Sequence, residues 1–205
     1  MADLSTSSGY LMGNLYSMLV PVLLAAIGIA AVSTSISGDE HDGRLEMLFA
    51  FAISRPTILL GRLSAAVLSV ALSALAVLAS VVLGRLFFEL DVSWDGLVAI
   101  TLVMVLFAVF HLCLAYVLAA CGTSSAVSFA VPFAVLVGGY VLRSLVPLID
   151  GAQDLANFSP WEWALAEDPL GGDVSAWRLG LLVLLSAAAV VAGTLVAKER
   201  DIHAP

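Results

Sequence analysis

The chain has three histidines, the side chains most able to bind a metal ion or exchange a proton, and they lie far apart in the sequence. His41, His111 and His203 fall in different regions, so no pair has the short spacing of a metal-binding motif. A catalytic serine would need a strained turn motif and a histidine to activate it, and no serine stands in such a pattern. We therefore predict no catalytic residue and no metal site.

The composition indicates a membrane protein. Of the 205 residues, 61% are apolar and only 12% are charged, whereas a soluble domain carries about a quarter charged residues. One core does not need this many apolar side chains, so the excess has to face lipid. The 8 Lys and Arg against 16 Asp and Glu also argue against nucleic acid as a partner, since nucleic acid requires a basic face.

Five stretches are apolar enough to cross a bilayer as helices, which takes about 20 residues each. We predict spans over residues 15–36, 63–84, 97–120, 126–149 and 179–197. A short polar turn at residues 121–125 separates the third span from the fourth. The predicted fold is an all-α integral membrane protein with a single transmembrane domain over residues 1–205.

The positions of the basic residues predict the orientation in the membrane, because cytoplasmic loops are rich in Lys and Arg. The basic residues that follow the first and fifth spans are Arg44, Arg55, Arg62, Lys198 and Arg200. With five spans, both groups lie on one side, which we predict to be cytoplasmic. The loop of residues 150–176 on the other side has acidic residues and no Lys or Arg. We expect a multi-pass protein of the cell membrane with its N-terminus outside and its C-terminus in the cytoplasm.

The segment between the first two spans, residues 38–56, has the periodicity of a helix. One apolar face recurs at spacings of three and four residues, through Leu45, Leu48, Phe49 and Ala52. Pro56 disfavours helical geometry at Arg55 and is predicted to end this helix. The pattern fits a helix resting among lipid headgroups and fits a docking element equally well.

This segment resembles the loop of ABC-transporter permeases of the type-2 exporter class. Its matching residues are Glu40, Gly43, Leu45, Glu46, Leu48, Phe49, Ser54, Arg55, Leu59, Leu60, Gly61 and Arg62. Residues 158–173, followed by a span and residues 197–202, resemble the end of the same class, above all its polyketide-antibiotic and multidrug exporters. The matching residues there are Ser159, Pro160, Asp168, Pro169, Leu170, Arg200 and Asp201.

The resemblance implies the permease subunit of an ATP-driven exporter, and it implies that the amphipathic segment is a coupling helix seated in a cleft of a separate ATP-binding cassette subunit. The implied contact residues are Glu40, Gly43, Leu45, Glu46, Leu48 and Phe49. ATP and Mg²⁺ would bind to that partner, because this chain has no G-x-x-x-x-G-K-[ST] stretch of its own. A second permease half or a second copy of the chain is a further implied partner. A half of that class has six spans, which leaves open that another helix precedes Tyr10.

The loop of residues 150–176 carries two tryptophans in the run Ser159-Pro160-Trp161-Glu162-Trp163. Because tryptophan concentrates where a membrane meets water, we predict that Trp161 and Trp163 lie at the outer membrane surface. The predicted outer segment is interfacial and re-entrant, and it turns back at Pro169.

His111 lies in the middle of the third span. An ionisable side chain inside the membrane suggests a transport pathway. The alternative is a neutral histidine with one hydrogen bond to a neighbouring helix.

Two classes of function remain open. The first is ATP-driven efflux of a lipophilic or amphipathic cargo such as a drug, an antibiotic or a lipid-like molecule, since a path for a hydrophilic ion would show polar rings. The second is a secondary transporter or a membrane scaffold without an ATPase partner. A proton-coupled carrier should carry acidic residues inside its spans, and the predicted spans have none.

Overall fold

The computed structural model describes residues 11–42, 54–88, 92–149 and 153–199, and in these ranges the regular structure is entirely helical. The helices are α1 (Leu19–His41), α2 (Arg55–Phe88), α3 (Trp94–Ala120), α4 (Ser125–Leu145), α5 (Pro160–Leu165) and α6 (Ala176–Glu199). Two short 3-10 helices, Val146–Leu148 and Gln153–Phe158, lie between α4 and α5.

The prediction of five spans is confirmed. Five described helices are long and apolar enough to cross a membrane: Leu19–His41, Arg55–Phe87, Trp94–Ala120, Ser125–Leu148 and Ala176–Glu199. The short helix α5 is additional to these five and lies in the loop before α6.

Helices α1 and α2 extend furthest beyond their predicted ends. Helix α2 begins at Arg55 rather than at residue 63, with Pro56 in its first turn, where a missing N–H costs no helical hydrogen bond. Helix α1 continues to His41 because the polar residues Ser33–Gly38 are wound as a π-helix and not as a loop. The hydroxyl of Thr34 donates to the carbonyl of Ala30 at 2.8 Å, which satisfies that side chain within the helix.

Helix α3 lies at the centre of the bundle. It is apolar all round, as expected for a helix that packs on every side, and it contacts each of the other long helices. Glycines permit the closest approaches: a Cβ at Gly28 of α1 would lie 3.0 Å from side chains of Leu112 and Val70, and one at Gly193 of α6 would lie 2.7 Å from the ring of Tyr116. The other long helices leave apolar faces uncovered by the described chain.

The helices alternate in direction, so the bundle has two ends. One end contains the end of α1, the start of α2 and the turn between α3 and α4, and we call it the Ser37 end. That turn closes through Gly122, whose φ of +78° favours glycine. The opposite end contains α5, and we call it the Trp161 end.

Candidate functional site

Two ion pairs at the Ser37 end connect the last turn of α1 to the first turns of α2. Arg55 Nη2 lies 2.9 Å from Glu40 Oε1, and Arg62 Nη1 donates to Asp39 Oδ2. All four side chains are partly buried, so solvent screens these pairs less than it would an exposed pair. These pairs therefore hold the end of α1 against the start of α2.

The pair of Glu40 with Arg55 joins points near the two ends of the predicted coupling segment, residues 38–56. Of its implied contact residues, Glu40 lies in the described ranges, at the end of α1. The other five lie outside the described residues: Gly43, Leu45, Glu46, Leu48 and Phe49. Their role as contacts of an ATPase subunit stays a prediction.

A group of hydroxyls at the same end joins α1, α4 and the turn before α4. Ser128 Oγ lies 2.8 Å from Ser37 Oγ and 2.8 Å from Thr123 Oγ1, and Ser37 and Ser128 are buried. This group was not predicted from the sequence. Its signal was the pair of Ser- and Thr-rich runs, 33–37 and 123–128, at the ends of two neighbouring spans.

An open cleft lies beside these hydroxyls. Its lining is mostly polar and consists of Thr34, Ser35, Gly38, Asp39, Asp42 and Ser125. The cleft therefore opens between α1 and the start of α4, next to the ion pair of Asp39 with Arg62.

At the Trp161 end, helix α5 packs into the bundle, so Trp161 is enclosed by protein. The position of this segment at the outer membrane surface stays a prediction. Trp161 is completely buried, and its Nε1 donates to the carbonyl of Leu136 at 2.7 Å. Ser159 Oγ donates to the carbonyl of Gly139 at 2.7 Å and accepts from the N–H of Trp161 at 3.2 Å. A buried indole needs an acceptor for its N–H, and α4 supplies one.

Gly139 makes this close packing possible. A Cβ at this position would lie 3.0 Å from Cδ1 of Trp161 and 3.3 Å from Ser159 Oγ. Trp163 differs from Trp161, since it is only partly buried and donates its Nε1 hydrogen to the carbonyl of Asn157 at 2.7 Å.

The rings of α5 and α3 form one aromatic cluster. The ring centroid of Trp161 lies 5.0 Å from that of Phe107 and 5.2 Å from that of Tyr140, and Phe110 reaches Trp163 at 6.2 Å. Edge-to-face contacts of this kind stabilise the packing by about 0.5–1.5 kcal/mol each. The cluster holds α5 against the centre of the bundle.

His111 lies within this aromatic cluster, buried between Phe107 and Phe110 at centroid distances of 4.5 and 5.0 Å. Its Nδ1 lies 2.8 Å from the carbonyl of Phe107, in its own helix and not in a neighbouring one. Because a carbonyl only accepts, Nδ1 carries the hydrogen and Nε2 presents a lone pair, for which the described residues provide no donor. A role for His111 in a pathway stays a prediction.

Glu162 connects α4 to α6 through α5. Its carboxylate lies 3.4 Å from Arg143 Nε and 3.4 Å from Arg178 Nη1. Arg143 also donates to the carbonyl of Leu165 at 2.6 Å. This cluster was not predicted from the sequence, although a lone arginine near the same end of each of two spans was a signal for it.

The segment that returns to α6 packs on the first turn of α3. Pro169 and Leu170 are buried, and a Cβ at Gly96 would lie only 1.8 Å from the carbonyl oxygen of Leu170. Gly96 is therefore required for this contact. The predicted set Ser159, Pro160, Trp161, Trp163 and Pro169 thus belongs to one segment that covers the Trp161 end.

Comparison with known families gives one match. A family model for the C-terminal domain of the multidrug efflux system permease Rv1217c matches residues 4–197. No curated protein and no solved structure gives a significant match. The matched range includes the first four spans, the fifth span as far as Ala197, the ion-paired ends of α1 and α2, and the segment that covers the Trp161 end.

Proposed function

The chain belongs to the family of this multidrug efflux permease domain and is a multi-pass membrane transport subunit, and we propose that it works in an ATP-driven ABC exporter. In this proposal, ATP and Mg²⁺ bind to a separate ATP-binding cassette subunit. A second permease half or a second copy of this chain completes the transmembrane part. The Ser37 end faces the cytoplasm.

The observation that carries this proposal is the closed base of the coupling segment. The pairs Glu40 with Arg55 and Asp39 with Arg62 hold the last turn of α1 against the first turns of α2. A movement imposed on residues 43–53 by an ATPase subunit would therefore reach both helices at once. An unanchored loop would absorb the same movement within its own backbone.

The chemistry of the segment suits docking into a cleft. Leu45, Leu48 and Phe49 would fill the cleft of the ATP-binding cassette subunit. Their burial there would contribute about 1.5–3 kcal/mol for each large side chain. Glu40 and Glu46 would set the orientation, because charge pairs at an interface fix register more than raw affinity.

The spans support a lipophilic or amphipathic cargo, such as a drug, an antibiotic or a lipid-like molecule. The described middles of the five spans contain no Asp, Glu, Lys or Arg, and their charged residues lie near the helix ends. A path for a hydrophilic ion would carry polar or charged rings. His111 is the side chain we propose as a polar contact along the cargo path, through its Nε2 lone pair.

The test is purification of the tagged full chain from its own membranes, followed by identification of a co-purified P-loop protein and measurement of vanadate-sensitive ATPase activity. Leu48→Asp should abolish both the co-purification and the ATPase activity, because it places a charge in the proposed cleft of the partner. Leu48→Met is the matched control, since it conserves volume and apolar character and should keep both.

Both variants should insert into the membrane normally, because residue 48 lies between spans. If Leu48→Asp keeps the partner and its ATPase activity at the level of the parent chain, the coupling assignment is wrong. If the parent chain purifies without any P-loop protein and without ATPase activity, ATP-driven transport is excluded and the chain is a permease of another kind.

A further inference from the structure

The 3-10 helix Gln153–Phe158 presents three chemically different faces. Three residues make one turn of such a helix, so side chains three positions apart lie above one another. Ala156 is 8% exposed and faces the bundle. Asp154 and Asn157 share a second, polar and exposed face, and Leu155 and Phe158 share a third.

The third face is strongly exposed for large apolar side chains. Leu155 is 51% exposed and Phe158 is 71% exposed. Leu148 and Ile149, which end the preceding segment, are 80% and 56% exposed, and the two 3-10 helices contact each other. We call Leu148, Ile149, Leu155 and Phe158 the apolar ledge. A set of large apolar side chains grouped in this way indicates a binding surface.

The apolar ledge continues the uncovered apolar face of a membrane-spanning helix. Val141 and Leu145 of α4 are 43% and 55% exposed, and Leu148, at the end of the 3-10 helix that follows α4, lies three positions after Leu145. At the same end of the bundle, Trp94 begins α3 and Trp177 lies in the first turn of α6, and both are more than half exposed. Exposed tryptophans in such positions are typical of the boundary between lipid and water.

We propose that the apolar ledge is a lipid-binding surface, with Leu155 and Phe158 inserted into the leaflet at the Trp161 end and with Asp154 and Asn157 facing water. The lipid contact thus belongs to the residues before α5, while Trp161 is held inside the protein. Ser159 and Trp161 follow Phe158 directly and bond to the carbonyls of Gly139 and Leu136. The short segment therefore ties the leaflet to α4. This inference depends on the membrane-spanning fold and not on ATP-driven transport.

The test uses nitroxide spin labels on single introduced cysteines, in the full chain reconstituted into vesicles of phosphatidylethanolamine and phosphatidylglycerol. Phe158→Cys and Leu155→Cys place the label on the ledge, and Asp154→Cys is the matched control on the polar face of the same helix. The background is Cys121→Ser, because Cys121 is exposed, whereas Cys113 is buried and stays in place. Collisions with oxygen, which dissolves in hydrocarbon, are compared with collisions with a water-soluble nickel chelate.

Labels at 155 and 158 should collide several-fold more often with oxygen than with the nickel chelate, and the label at 154 should show the reverse. Two results would overturn the proposal. A label at 158 that favours nickel as strongly as the label at 154 would place the ledge in water. Exclusion of both reagents at 155 and 158 together with spin–spin broadening would show that a second copy of the chain covers it. The two ledge positions check each other if one label disturbs the local packing.

Discussion

At the scale of single residues, two adjacent glycines of α4 have opposite surroundings. A Cβ at Gly139 would meet Trp161 at 3.0 Å, whereas a Cβ at Gly138 would meet nothing within 4 Å. Gly139→Val should therefore destabilise the protein by about 1–3 kcal/mol, the usual cost of overpacking, while Gly138→Val should not. Thermal unfolding of both variants in detergent measures the difference. Because the change from glycine to valine alters helix propensity equally at both positions, the difference reports the packing.

The emission of Trp161 gives a second measurement of the same contact. In a chain whose other three tryptophans are replaced by phenylalanine, Gly139→Val should shift the emission to longer wavelength, because the displaced indole leaves its buried site. Equal unfolding temperatures and equal emission for the two valine variants would show that Trp161 does not pack on α4.

The residue scale is also where prediction from sequence was weakest. The Trp161-Glu162-Trp163 run stands out in the sequence, but an indole at a membrane surface and an indole buried in a bundle have the same local sequence. The difference lies in the acceptor, the carbonyl of Leu136, which is 25 positions away. Nothing in the periodicity of either segment predicts which carbonyl of α4 lies opposite the indole.

At the scale of elements, the carboxylate of Glu162 adds to the attachment of α5 to α4 and α6. Glu162→Ala leaves Arg143 and Arg178 without this partner, and a partly exposed pair is worth up to about 1 kcal/mol. Amide exchange across Trp161–Leu165 should accelerate about fivefold, because local opening becomes easier by that amount. Hydrogen–deuterium exchange followed by mass spectrometry measures this.

Glu167→Ala is the matched control, since Glu167 is an exposed acid in the same segment. It should leave the exchange of α5 unchanged. Similar acceleration in both variants would mean that negative charge in the segment, and not the two arginine contacts of Glu162, holds α5 in place.

The spans themselves could be predicted because hydropathy alone determines them. Their ends could not, because ion pairs between α1 and α2 hold both helices past the apolar stretches. Arg55 of α2 pairs with Glu40 of α1, and Asp39 of α1 pairs with Arg62 of α2. Such pairs are tertiary contacts between residues 15 and 23 positions apart. Periodicity within one segment does not report them.

At the scale of the whole molecule, the proposed coupling to a cytoplasmic ATPase depends on the orientation in the membrane. We expect the Ser37 end in the cytoplasm, because the basic residues cluster there. The chain offers matched labelling positions: Cys121 is exposed at the Ser37 end, and Asp173 is exposed at the Trp161 end. Ser37 and Ser159 are unsuitable for labelling, because both are buried.

An impermeant maleimide applied to intact cells should label Asp173→Cys in a Cys121→Ser background and should leave the native Cys121 unlabelled. Permeabilised cells should label both positions. Labelling of native Cys121 in intact cells would reverse the orientation and would place residues 43–53 away from any cytoplasmic ATPase.

The proposed coupling role of the Ser37 end leads to the last prediction. Glu40 pairs with Arg55 at 2.9 Å, so Glu40→Ala releases one of the two ion pairs that close the base of the segment, while the Asp39–Arg62 pair remains. A partner ATPase should still bind, because the proposed apolar contacts are unchanged, but its ATP hydrolysis should no longer rise when cargo is added.

Glu199→Ala is the matched control, because it removes an exposed acid at the same end of the bundle, and it should leave this rise in ATP hydrolysis intact. Cargo-stimulated ATPase activity of the reconstituted complex distinguishes the variants. If Glu40→Ala keeps the full stimulation, the ion-paired base does not transmit the movement and residues outside it must do so.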